Sequence, residues 1–116
     1  MSEGGVVASF VVPVHPHTVL APDMNPGWRA LRNAFDEAAQ TINDLEADLL
    51  IVYSTTWPSI IGHQIQADPN PEWVMVDHDF HDLGSIPYSF NIDAEFAHAW
   101  DDANRNRGLQ LSLIHI

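Results

Sequence analysis

The chain has 116 residues, 46% of them hydrophobic, and a formal net charge of −12, with 16 acidic residues against 4 basic ones, all arginine. That balance excludes a duplex-binding role, which needs cations to displace phosphate counterions, and it excludes an anionic membrane surface. Without cysteine there are no disulfides or thiolate metal sites, and no apolar run reaches the roughly 20 residues of a membrane span.

The N-terminus lacks the basic start and small-residue cleavage site of a secretory signal, so the expected location is cytoplasmic. Val6 to Val12 is β-rich and almost continuously apolar, the pattern of a strand covered on both faces in a parallel sheet. Pro13 and Pro16 end it. Asn25-Pro26 then reads as a helix start, with Asn25 as the cap and Pro26 in the first helical position. Trp28, Leu31, Phe35, Ala38, Ile42 and Leu45 follow at spacings of three and four, which predicts an amphipathic helix of roughly 20 residues.

Leu49 to Tyr53 reads as a second buried strand, and strand–helix–strand is the βαβ unit, whose crossover makes the strands parallel. Trp73 to Val76 is a short third strand, and Asp77 to Tyr88 reads as loop. Asp93 caps a second helix with Phe96, Ala97 and Trp100 on its apolar face, and Gly108 stands where a helix terminator belongs. Leu109, Leu111 and Leu113 alternate with polar residues, as in a strand. The expected class is α/β: the N-terminal part of a mainly parallel sheet flanked by helices, a βαβ start cut from a larger domain.

Seven histidines are present. His15 and His17 follow the first expected strand, His63 the second, and His78 and His81 the third. In open α/β sheets ligands bind beyond the carboxyl ends of the strands. Imidazole with carboxylate suits zinc or non-haem iron, and Asp77, Asp79 and Asp82 lie beside His78 and His81. Ordinary roles compete with this at each position. Proline-flanked histidines are common in loops, the 77–82 segment reads equally as a solvated acidic loop, His63 as an exposed loop residue, and His98 as surface or satisfied core. Trp28, Trp57, Trp73 and Trp100 read most simply as packing residues.

Three segments in order, Val12-Pro13-Val14-His15-Pro16, Leu50-Ile51-Val52-Tyr53-Ser54-Thr55-Thr56-Trp57 and His81-Asp82-Leu83-Gly84-Ser85-Ile86-Pro87-Tyr88, carry a resemblance. Together they resemble the N-terminal part of a class III extradiol ring-cleavage dioxygenase, of the protocatechuate 4,5-dioxygenase catalytic-subunit superfamily. The resemblance runs from about Val6 to Arg107 and implies an iron(II) cofactor, a small aromatic substrate of the catechol or 2-aminophenol type, and cleavage beside the two substituted ring carbons.

It also implies two histidine ligands at strand ends, then a glutamate ligand and an acid/base histidine further along. His15 matches the first ligand, with His17 as the alternative metal residue. The second ligand position, before Trp57, holds Thr56, whose neutral hydroxyl is a poor ligand for iron(II). The glutamate and the acid/base histidine have no counterpart within the 116 residues. The site is thus expected to be vestigial or partial, with no catalytic residue assigned.

The same gap marks one branch of the superfamily, the non-catalytic α subunits of the 2-aminophenol 1,6-dioxygenase type, to which the 52–57 and 82–88 segments are similar. That branch implies a hetero-oligomer with a homologous catalytic subunit. The chain is therefore expected to be a metal-site-deficient structural or regulatory partner. The alternatives are an iron(II)-dependent enzyme using His63 or the His78/His81 pair, and an unrelated acidic metal-binding or interaction module. Residues 1–110 are expected to form the partial domain. Leu111 to Ile116 resembles translated read-through of a library adapter and is set apart as a non-native tail, although its alternating leucines also read as a strand.

Overall fold

In a computed structural model, residues 4–55 and 62–115 are described. The chain divides into two compact units: Met1–Thr55 with Asp77–Gly84, and Thr56–Val76 with Ser85–Ile116.

The first unit is organised by α2 (Pro26–Asp44), preceded by the short helix α1 (His17–Leu20) and a 3-10 turn over Pro22–Met24. Asn25 starts α2 as its sequence requires: its side-chain oxygen accepts the Trp28 amide at 2.9 Å, satisfying one of the donors that a helix start leaves open. Arg29 closes the preceding turn by donating through Nε and Nη2 to both oxygens of Asp23, each at 2.7 Å. Trp28, Leu31, Phe35, Ala38 and Ile42 form a half-buried stripe, and no residue of α2 is fully buried.

The two expected strands of this unit are not strands. Residues 6–12 and 49–53 carry no strand assignment and are exposed along their length, Val11 fully and Val52 at 69%. Their composition suits a sheet interior, but a strand also needs a paired neighbour, and none is assigned among the described residues of this unit. Among the described residues, then, no strands flank α2 to make the βαβ unit expected there.

A parallel pair does form in the second unit, between different segments. Strand β1 (His63–Gln66) pairs with β4 (Leu111–Ile114), His63 opposite Leu111 and Gln66 opposite Ile114. Helix α3 (Ala94–Asn106) packs against them, with Ala97 and Trp100 meeting Ile65, Leu111 and Leu113 in a small apolar core. Asp93 caps α3 by accepting the Phe96 amide at 2.9 Å. Gly108 ends it at φ +83, a left-handed conformation that glycine adopts without a Cβ penalty, while the Gly108 and Leu109 amides bond Arg105 and Asn104 carbonyls.

Strand β2 (Glu72–Met75) runs antiparallel to β3 (Ile86–Ser89), with Trp73 opposite Tyr88 and Val74 opposite Pro87. The expected loop thus yields to a strand over Ile86–Ser89. Pro87 is tolerated because both strands of a two-stranded ribbon are edges. The class is mixed α/β. Among the described residues no helix is long and apolar enough to cross a membrane.

Candidate functional site

His15 and His17 come together with two other aromatic rings of the same unit. The backbone around them is held from two sides: Thr18 Oγ1 donates to the His15 carbonyl at 3.3 Å, and Arg32 of α2 donates to the Thr18 carbonyl at 3.3 Å. Pro16, His17 and Thr18 are buried, whereas His15 is exposed. The His17 ring stacks on Trp28, centroids 4.5 Å apart and planes within 11°, and meets Phe80 edge-on at 4.5 Å. His15 lies 5.4 Å from Phe80, 5.8 Å from Trp28 and 6.0 Å from His17, ring centre to ring centre.

Phe80 owes its place to Asp77. The Asp77 Oδ1 accepts the amides of Asp79 at 2.9 Å and Phe80 at 3.0 Å, an Asx turn that folds the segment onto the histidines. In sequence Asp77 reads as a candidate metal carboxylate; in the structure it forms the turn. The signal for it was an Asp opening the 77–88 segment read as loop, where Asx turns commonly form. His78 is fully exposed and contacts Asp79 at 3.2 Å, and His81 is exposed in a 3-10 turn over His81–Leu83.

His63 belongs to the other unit, where it opens β1 and is exposed; the strand replaces the expected loop. His98 is exposed on α3. Trp73, expected to pack, is 72% exposed on β2. Thr56 and Trp57 lie outside the described residues.

Among the described residues, His15 and His17 bring two imidazole donors into one cluster. The 6.0 Å separation of His15 and His17 allows two imidazoles to approach one ion. Iron(II) of the oxygenase type takes a carboxylate as well, and among the described residues no group of three His, Asp or Glu side chains could hold a metal. What the geometry provides is an aromatic cluster with two imidazoles in it.

The chain is 31% identical to the β subunit of 2-aminophenol 1,6-dioxygenase from Pseudomonas sp over 116 residues, 94% of this chain and 38% of that subunit. It is 25% identical to the α subunit of 2-aminophenol 1,6-dioxygenase from Pseudomonas sp over 104 residues, 90% of this chain and 38% of that subunit. The chain is similar to both dioxygenase subunits.

The resemblance to extradiol dioxygenase subunits therefore rests on nearly the whole chain and not on three short motifs alone, and an unrelated module is set aside. The chain spans about 38% of the length of the curated relatives it matches. No family model matches it.

Proposed function

We propose that the chain is part of an extradiol dioxygenase-family subunit that lacks a complete iron site and assembles with a homologous catalytic subunit acting on a small aromatic substrate. The similarity to both the α and β subunits, over 90% and 94% of the chain, is the observation that carries this reading. A chain built on the same plan as a catalytic partner can share its assembly surfaces without sharing its chemistry. Thr56 at the second ligand position supports a non-catalytic place in that assembly. His15 stands as the remnant of the first ligand position.

The second reading, an iron(II)-dependent dioxygenase in its own right, is favoured by the higher identity to the β subunit, 31% against 25%. Co-expression with the Pseudomonas β subunit separates the two. The first reading predicts co-elution on size exclusion, with 2-aminophenol cleavage only in the β-containing sample. Cleavage by the chain alone, dependent on added iron(II), establishes the second.

A further inference from the structure

We propose that His17 is a structural ring of the first unit, held for its faces and edge and not for its nitrogens, so that it is not available as a metal ligand. The proposal deepens the reading of the chain as metal-site-deficient. A ligating histidine directs one ring nitrogen at the ion, while the other N–H is fixed by a carboxylate, carbonyl or water. His17 lacks that arrangement. Its Nδ1 is buried with no hydrogen-bond partner among the described residues, so the contact that orients a ligating imidazole through its second nitrogen is missing there.

The surroundings of the ring are apolar. One face lies on Trp28, and Phe80 closes on it in a T-shaped contact. Aromatic pairs at these separations stabilise beyond the area they bury. Because Trp28 belongs to α2 and Phe80 to the Asp77 turn, the His17 ring ties three stretches of sequence into one unit. A buried imidazole nitrogen without a partner is a cost of that placement, which an all-carbon ring does not carry. Exposed His15 is not sealed in this way.

Two measurements on the full chain test the proposal. In proton NMR, ring-current shielding by Trp28 moves the His17 ring protons upfield of those of exposed His63, His78 and His98, and Trp28→Leu abolishes the shift. Equimolar Zn2+ leaves the His17 ring signals in place. His17→Phe keeps the amide-exchange protection of α2, whereas His17→Asn, which mimics Nδ1 but has no ring, lowers it at least tenfold. Unshifted His17 protons, movement of the His17 signals with Zn2+, or better protection in Asn than in Phe overturns the assignment. Zn2+ or iron(II) bound through His15 alone would count against the metal-deficient reading and leave the role of His17 intact.

Discussion

Arg105 pairs with Asp101 one turn earlier on α3, Nε to Oδ2 at 3.0 Å, while the second carboxylate oxygen of Asp101 has no partner among the described residues. Asp101 is only 5% exposed, and among the described residues its charge is compensated by one half-exposed cation, Arg105. Removing one partner of a buried pair costs more than removing both, because it strands the remaining charge. Arg105→Ala is expected to destabilise the second unit by about 2 kcal/mol. Asp101→Ala/Arg105→Ala is expected to cost less than the single Arg105→Ala change. Urea denaturation followed by circular dichroism measures both.

The helix caps give a second test. Asn25→Ala and Asp93→Ala each remove a side-chain acceptor bonded at 2.9 Å to an amide of the first turn. Each is expected to cost about 1 kcal/mol, read as lower helix content and a lower unfolding midpoint. Gly27→Ala adds helix propensity but places its Cβ 3.2 Å from the Asn25 side-chain oxygen, so its gain is expected to fall short of the usual 1 kcal/mol or so for Gly→Ala in a helix.

Both caps, the stripe from Trp28 to Ile42 and the Gly108 terminator were legible because each depends on residues within a turn or two of one another. Trp73 to Val76 was legible within one residue as β2. The apolar runs at 6–12 and 49–53 were not, because apolar character records a demand for cover without naming the neighbour that forms the ladder. Ile86–Ser89 was hidden by Pro87, which argues against a central strand but not against an edge. At the candidate site, the sequence singled out His15 and His17 as metal residues. Their meeting with Trp28 and Phe80 depends on separations of 13 and 65 positions from His15, which no local pattern encodes.

The uncovered runs predict association. Val6, Val11 and Leu50 are 87%, 102% and 65% exposed, and contiguous exposed apolar segments of β-rich composition template pairing between chains. The chain on its own is expected to self-associate in light scattering and to bind a hydrophobic dye. Val11→Lys with Val52→Lys is expected to reduce both signals. A monodisperse monomer with no dye binding contradicts this.

Asp23 supplies a pH test. The hydrogen bonds from Arg29 hold its carboxyl below the ordinary 3.8, against a smaller opposing effect of desolvation. A lowered folded pKa means that the pair's contribution is fully present above the unfolded value and is lost as pH falls through the folded one. The contribution is small, because both groups face water, and it weakens with salt. Carboxyl NMR titration is expected to place Asp23 below the ordinary 3.8, and Arg29→Gln is expected to return it toward that value.

Anaerobic iron(II) titration of the chain by calorimetry, with His15→Ala in parallel, is the sharpest test of the proposal that this dioxygenase-like chain contributes no iron site of its own. No tight stoichiometric binding is expected, and no difference between the two proteins. Equimolar iron(II) binding that disappears in His15→Ala contradicts it.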